Sequence, residues 1–326
     1  MMEARKLGRQ GLQVSAIGLG CAGFAGNYGP ADDEECIRTI HAAIELGINF
    51  FDTSDVYGNG KNEELIARAI HDRRDRVIIA TKFGNMRTGG QRGLTNGRPD
   101  YVPVACDASL KRLGVDVIDL YYEHRIDPTV PIEDTVGAMA RLVEQGKVRY
   151  LGLCEAGAET VRRAHRVHPL SALQTEYSLW SRDLEPTMIP LLRELGIGLV
   201  AYCPLGRGFL TGSIQKPDDM GAKDRRHEHP RFQGDNFKQN RELLDPIREV
   251  AKAHGASMAQ VALGWVLAQG SDIVPIPGTK TRKYLKENTT RIALSDSDLQ
   301  RLRAAFPRDA ASGLRYPEFQ LKGMGI

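Results

Sequence analysis

Four times along this chain a helix-like amphipathic stretch ends on glycine and a short apolar run follows at once. Glu45-Leu46-Gly47, Arg112-Leu113-Gly114, Glu144-Gln145-Gly146 and Glu194-Leu195-Gly196 each finish on the residue that best tolerates the left-handed conformation just past a helix end. The runs that follow, Ile48 to Phe51, Val115 to Tyr121, Lys147 to Leu151 and Ile197 to Ala201, have the length and composition of strands. The helices carry the spacing of a face laid on a sheet: Ile37, Ile40 and Ile44, then Val136, Met139 and Val143, then Ile189, Leu192 and Leu195. With Ala16 to Leu19, Val77 to Ala80, Ala172 to Gln174 and Ile273 to Ile276, the strand candidates reach about eight in βα alternation. The rhythm predicts an α/β chain closed into a single (β/α)8 TIM barrel, and 326 residues read as one such domain, 1–326. A doubly wound open sheet is the competing arrangement. Arg5 to Gly8 and Gln10 to Val14 read as an N-terminal β-hairpin outside the repeat, placed to cap the barrel floor. The polar stretch 215–240, with Pro217 and Pro230, reads as a long loop inserted after strand 7.

Several functions are excluded early. With 44 Lys and Arg against 41 Asp and Glu, the net charge of +3 gives no field that would hold nucleic acid or an anionic membrane. No apolar run approaches the roughly 18 residues that cross a bilayer. The opening Met1-Met2-Glu3-Ala4-Arg5-Lys6 runs straight into charges, so a cytoplasmic address is expected. Five cysteines, an odd number without a CxxC pair, argue against a disulfide framework and against zinc. His227 and His229 alternate as in some metal sites, yet no further ligand lies near, so no metal is expected.

In a barrel the chemistry sits at the C-terminal ends of the strands. Strand 2 ends on Asp52 with Tyr57 five residues on, strand 3 on Lys82 and strand 4 on His124. A phenol near pKa ~10 is a poor acid at neutral pH, and a neighbouring ammonium favours its phenolate. Lys82 would tune Tyr57, Asp52 would serve as counter-ion to Lys82, and His124 would hydrogen-bond the oxygen of a bound carbonyl. The set points to proton delivery by Tyr57 to a carbonyl oxygen as hydride reaches its carbon. Taken singly, each residue also fits a structural role: a buried ion pair, a packed loop aromatic, a core histidine.

Five ordered stretches, Asn49 to Gly58, Thr81 to Gly84, Tyr122 to Asp127, Ala201 to Gly208 and Ile276 to Lys280, resemble successive motifs of the aldo-keto reductases. The resemblance implies a barrel that binds NADPH in extended form, with a tetrad of Asp52, Tyr57, Lys82 and His124 acting on a small carbonyl substrate. It maps carboxamide contacts to Cys154, Glu155 and Gln174, and a stacking aromatic to Tyr202. The pyrophosphate would meet the loop Pro204, Leu205, Gly206, Arg207 and Gly208. Beyond strand 8, from Gly278 on, Lys280 and Arg282 would meet the adenosine 2′-phosphate, and Glu287 and Asn288 the adenine. Two cations beside a phosphomonoester favour NADPH over NADH. Cys154 and Cys203 stand where serine is usual, and a thiol is the weaker donor, so sensitivity to thiol oxidants is expected. Tyr284 stands where the family often has Arg or Gln. Arg225, Arg226 and Arg231, in the polar stretch, are candidates to close over a diphosphate.

Gly18-Leu19-Gly20-Cys21-Ala22-Gly23 fits the G-x-G-x-x-G of a Rossmann turn, but the chain continues as loop to a helix start near Asp32 or Asp33. Two rival functions remain open: a Schiff-base aldolase using Lys82, and a non-catalytic nucleotide-sensing regulatory subunit on the same barrel. Tyr28, Phe83, Met86, Trp180 and Phe232 are candidate substrate walls, suited to an apolar or aromatic aldehyde or ketone. Oligomeric state is not legible.

Overall fold

The computed structural model describes residues 2–88, 91–321 and 324. Its strands are β1 (Ala4–Leu7), β2 (Leu12–Ser15), β3 (Leu19–Gly20), β4 (Phe50–Asp52), β5 (Ile78–Phe83), β6 (Asn85–Thr88), β7 (Gln91–Thr95), β8 (Ile118–Glu123), β9 (Val148–Cys154), β10 (Ala172–Glu176), β11 (Gly198–Tyr202) and β12 (Ile273–Pro275). The helices are α1 (Asp33–Glu45), α2 (Lys61–Ile70), α3 (Tyr101–Leu113), α4 (Ile132–Glu144), α5 (Ala158–Val167), α6 (Met188–Leu195), α7 (Gly234–Glu242), α8 (Leu244–Ala253), α9 (Met258–Leu267), α10 (Arg282–Thr289), α11 (Asp296–Ala305) and α12 (Glu318–Leu321). Eight parallel strands pair in the order β12-β11-β10-β9-β8-β5-β4-β3. The seam closes because the Gly18 amide donates to the Pro275 carbonyl at 3.0 Å and the Gly20 amide to that of Pro277 at 3.3 Å. The result is a (β/α)8 barrel.

That seam explains the glycine pattern that imitates a Rossmann turn. A Cβ on Gly18 would lie 2.7 Å from the Phe50 ring, and one on Gly20 would lie 2.7 Å from the Ile276 carbonyl. After β3 comes a short 3-10 turn, Cys21–Ala25, and α1 opens only at Asp33, with the Asp32 carboxylate accepting the Glu35 amide. The glycines serve strand approach, and no phosphate-binding helix follows them.

The two faces of the barrel wall divide by residue parity, as strand geometry requires. Phe50, Ala80, Leu120, Tyr122, Cys154, Ala172, Val200 and Val274 form the interior cluster. Phe51, Ile79, Phe83, Tyr121, Leu153, Leu173 and Leu199 pack outward against the helices, among them Ile40, Ile44, Met139 and Leu192. Gly152 takes its place inside because a Cβ there would stand 2.5 Å from the Tyr122 ring. The β1–β2 hairpin drives Leu7, Leu12 and Val14 into the interior cluster and so plugs the floor. Gly114 and Gly196 end α3 and α6 in the left-handed conformation, with Gly47 and Gly146 at φ 88° and 73°.

Two expectations change. The polar stretch 215–240 is not a bare loop: it folds into short 3-10 turns at Pro217–Asp219, Arg225–Glu228 and Pro230–Phe232 and runs into α7. Asp224 organises it, its side chain accepting the Arg226 amide at 2.9 Å. A second hairpin, β6–β7, follows β5 and was not foreseen, since its sequence lacks an apolar alternation.

Candidate active site

The strands run further toward the mouth than their apolar cores suggest, because polar residues at their C-terminal ends are buried by pairing with one another. Asp52, Lys82, Gln174 and Tyr202 each occupy the interior position two residues beyond Phe50, Ala80, Ala172 and Val200. His124 follows Tyr122 in the same parity, and its amide donates to the Phe83 carbonyl at 2.8 Å. Asp52, Lys82 and His124 are 2%, 0% and 6% exposed.

The Lys82 ammonium donates to Asp52 Oδ1 and, at 2.6 Å, to the Thr53 carbonyl. The second carboxylate oxygen of Asp52 accepts the Gln174 side-chain amide at 2.6 Å. Burial works against the Lys82 charge, but the Asp52 carboxylate outweighs it and holds the amine above its ordinary pKa. An ammonium so held is a poor Schiff-base nucleophile, which weighs against the aldolase alternative.

Tyr57 enters from the loop after β4, its amide held by the Ser54 carbonyl at 3.1 Å. Its ring meets His124 edge-on at 5.8 Å between centroids, and the Lys82 Nζ stands 5.3 Å from its centroid. Burial pushes the phenol up to about 12, with Lys82 pulling it back and Asp52 adding to the rise. The expected net lowering by Lys82 is therefore reversed: Tyr57 keeps its proton at neutral pH. His124 Nδ1 lies 3.0 Å from the Ser54 hydroxyl.

Around this centre lies a buried ionic network. Glu155, in a left-handed conformation at φ 52°, accepts the Tyr202 hydroxyl at 2.6 Å, the Glu176 amide at 3.0 Å and both Nη atoms of Arg315 at 3.2 and 3.0 Å. Glu176 accepts from Arg207 at 2.8 Å and from the Ser181 hydroxyl at 2.8 Å, and Arg231 Nη1 stands 3.7 Å away. Burial opposes its ionisation, yet Arg207, Arg315 and Arg231 hold its carboxylate down at about 2. Tyr316 meets the Tyr202 hydroxyl at 3.1 Å and lies 4.6 Å from the Arg207 guanidinium. Arg125 donates to the His124 carbonyl at 2.7 Å.

The residues assigned to a nucleotide fall in three places. Cys154 and Gln174 are level with one another in the β9–β10 register, beneath Glu155 and Tyr202. Burial pushes the Cys154 thiol well above its ordinary pKa, which opposes the expected reactivity toward oxidants, and the half-buried Cys203 rises to about 11. Pro204, Leu205, Gly206, Arg207 and Gly208 form a tight turn with positive φ at Gly206, Arg207 and Gly208. Beyond β12, past the exposed Gly278, the three donors of Lys280 reach the carbonyls of Tyr28, Gly29 and Pro30 at 3.0, 3.2 and 2.9 Å, tying the two loops together. Arg282 opens α10 and pairs with Glu35 at 3.1 Å, while Glu287 is half-buried and Asn288 buried on the same helix.

The polar stretch bridges these places. Arg226 donates to the Arg207 carbonyl at 3.0 Å and stacks 5.3 Å from the Tyr28 ring, while the Arg225 amide donates to the Asn27 carbonyl at 3.3 Å. Arg225, Arg226 and Lys280 stand beside the glycine-lined turn, but Arg226 is paired with Asp224 at 2.6 Å and the Lys280 donors are taken by backbone carbonyls. Arg231 does not join them: it is turned inward to Ser181 and Glu176. Among the described residues no group of three or more His, Cys, Asp or Glu is placed to hold a metal ion, and no helix is long and apolar enough to cross a membrane.

Three substrate-wall candidates are corrected. Phe83 has outward parity and stacks on Tyr121 at 5.0 Å, whereas Trp180 stacks on Phe209 at 4.8 Å and Phe232 meets it edge-on at 6.1 Å. All three are core; Tyr28 and Met86 remain partly exposed. Glu176 could have been found by extending the even-numbered alternation of β10 by one step. Arg315 carries no such signal, standing 160 residues from its partner Glu155.

Comparison with known proteins agrees with the barrel. The model of the aldo/keto reductase family matches residues 16–306. The chain is 47% identical over 315 residues to probable aldo-keto reductase 1 of Glycine max, covering 95% of this chain and 91% of the relative. Among solved structures it resembles a glycerol dehydrogenase of Gluconobacter oxydans, with TM-score 0.84, 28% identity, and 95% and 97% of the two chains covered. It also resembles an aldo-keto reductase of Bacillus halodurans in its holo form, with TM-score 0.78, 26% identity, and 98% and 100% covered. Family membership implies an oxidoreductase for small carbonyl compounds that uses a nicotinamide cofactor. With its closed eight-stranded barrel and the cluster of acid, amine, phenol and imidazole at one mouth, this chain belongs to the aldo/keto reductase family.

Proposed function

We propose that the protein reduces aldehydes or ketones to alcohols with NADPH, Tyr57 acting as the general acid. A bound nicotinamide supplies hydride to the carbonyl carbon. Tyr57 holds the proton that the carbonyl oxygen needs, and the observation that carries the reading is its placement: a half-buried phenol, still protonated, beside the Lys82 ammonium and the His124 ring. As the proton leaves, the neighbouring Lys82 ammonium stabilises the phenolate. Asp52 keeps Lys82 charged and fixed, with Gln174 holding Asp52 in turn. His124 orients the substrate oxygen. Preference for the phosphorylated cofactor rests on Arg282, since the donors of Lys280 are engaged with backbone carbonyls.

The test is NADPH absorbance followed across a panel of aldehydes, ketones and α-dicarbonyls. Tyr57→Phe is expected to lose about 10²- to 10⁴-fold in kcat, the range of a positioned general acid, while still binding NADPH. Near-normal turnover by that variant would overturn the assignment. Tight NADPH binding by the native protein with no carbonyl reduced would favour the regulatory alternative.

A further inference from the structure

Ser54 and Asp55, between the strand-end acid Asp52 and Tyr57, have no part in the chemistry described so far. The Ser54 hydroxyl lies 3.0 Å from His124 Nδ1 and 3.1 Å from Asp55 Oδ1, with the Lys82 carbonyl farther off at 3.5 Å. A hydroxyl has one proton to give. It cannot donate to the carboxylate and the imidazole together, so the two contacts are mutually constraining.

We propose that Ser54 and Asp55 are positioning residues that decide which ring nitrogen of His124 carries its proton. With Asp55 ionised, the Ser54 proton goes to the carboxylate, the stronger acceptor. Nδ1 must then be the N–H that donates to Ser54 Oγ, and Nε2 of the neutral ring is left as an acceptor. With Asp55 protonated, its carboxyl donates to Ser54 Oγ, the Ser54 proton turns to Nδ1, and Nε2 carries the N–H. Only the second arrangement lets a neutral His124 donate to a carbonyl oxygen. Between the two states one proton leaves Asp55 for solvent, and His124 exchanges one through solvent from Nε2 to Nδ1 without a change in its charge. The consequence for catalysis rests on the reductase reading; the tautomer does not.

The surroundings make the change accessible. Burial first, and then the Glu63 carboxylate, push Asp55 up to about 7, against the Ser54 hydroxyl, the Val56 amide and Arg112, which lower it. The ionisable groups facing this corner are Glu63 from α2, Tyr101 and Arg112 from α3, and Tyr121 from β8. Glu63 is tied by Arg112 and the Thr81 hydroxyl, both at 2.6 Å. Near His124 stand Lys82 on β5 and the adjoining Arg125, with Tyr57 edge-on.

The test is long-range ¹H–¹⁵N correlation of ¹⁵N-histidine-labelled full-length protein without added cofactor, with His124 assigned by its loss in His124→Gln. In the native protein His124 should pass from the Nε2–H to the Nδ1–H form as pH rises through neutrality. Asp55→Asn should hold the Nε2–H form throughout, because its NH2 can donate to Ser54 Oγ at every pH. Ser54→Ala should abolish the switch and Ser54→Thr restore it. The same form of His124 at every pH in the native protein, or the same switch in Asp55→Asn, would overturn the proposal. In steady state, kcat for carbonyl reduction should fall about tenfold from about pH 6 to about pH 8 in the native protein and stay level in Asp55→Asn. A switch seen by resonance in a protein that reduces no carbonyl would support the relay and sink the reductase reading; activity without the switch would do the reverse.

Discussion

Arg315 reaches from the C-terminal segment across the barrel mouth and closes a two-pronged ion pair on Glu155 at the end of β9, at 3.2 and 3.0 Å. Neither side chain is more than 8% exposed. The same segment is tied to α7 and the turns before it, since Asn240 exchanges hydrogen bonds with Ser312 and Arg231 donates to the Gly313 carbonyl. The tail and the polar stretch therefore act as one cover, anchored on carboxylates inside the mouth.

Removing one partner of a buried pair leaves the other charge without compensation. Arg315→Ala is expected to cost about 3 kcal/mol in denaturant unfolding, and Glu155→Gln less, because a neutral amide can still accept from Tyr202. An unchanged unfolding midpoint in Arg315→Ala would show that the tail does not rely on this pair.

His229 donates Nδ1–H to the Arg315 carbonyl at 3.0 Å, and burial, with Arg207 nearby, lowers its pKa to about 4. Its folded value lies below the ordinary ~6.5, so the stability it contributes is present above ~6.5 and is lost as pH falls toward the folded value. Amide exchange at residues 312–316 should quicken over that window. In His229→Asn the rise should disappear; an equal rise in both proteins would locate the acid sensitivity elsewhere.

Arg282 shares its guanidinium with Glu35, whose carboxylate is lowered to about 2 first by hydrogen bonds from Arg282 and Arg38. On the NADPH reading proposed above, a cofactor 2′-phosphate has to compete with that carboxylate. Arg282→Ala should reduce the preference for NADPH over NADH in kcat/KM by about tenfold, the worth of one charged hydrogen bond, and Glu35→Gln should raise it. No change in the cofactor ratio for Arg282→Ala would remove this residue from cofactor choice.

Gly206 stands at φ 56°, and a Cβ there would lie 2.7 Å from the Trp180 indole. Trp180 cannot yield, being stacked on Phe209 with the Arg231 guanidinium 5.1 Å from its ring. Gly206→Ala should lose at least about 2 kcal/mol through backbone strain and overpacking, and weaken NADPH binding at the adjoining turn. Thermal unfolding and cofactor titration check the two effects separately.

What was legible in the sequence follows from local rules. Glycine-closed helices, each followed by a short apolar run, predict βα units, and Asp52, Lys82 and His124 stand at strand ends simply by counting. The substrate walls were misplaced because Phe83 differs from Lys82 by one position, and one position in a strand exchanges interior for exterior. Trp180, Phe209 and Phe232 gave no local sign that they would pack together, since their partners are separated by turns without periodicity.

The chain's own order determined the repeat, the strand ends and therefore which side chains could converge, because helix caps and alternation depend on neighbours a few residues apart. Only the closed barrel decided what those side chains became. Burial raised the Tyr57 phenol where a cation alone would have lowered it. It also set Ser54 between an acid and an imidazole, and brought Arg315 to Glu155 over a separation that no short-range rule spans. Desolvation and long-range pairing are properties of the assembled mouth, so they appear only once all eight strands are in register.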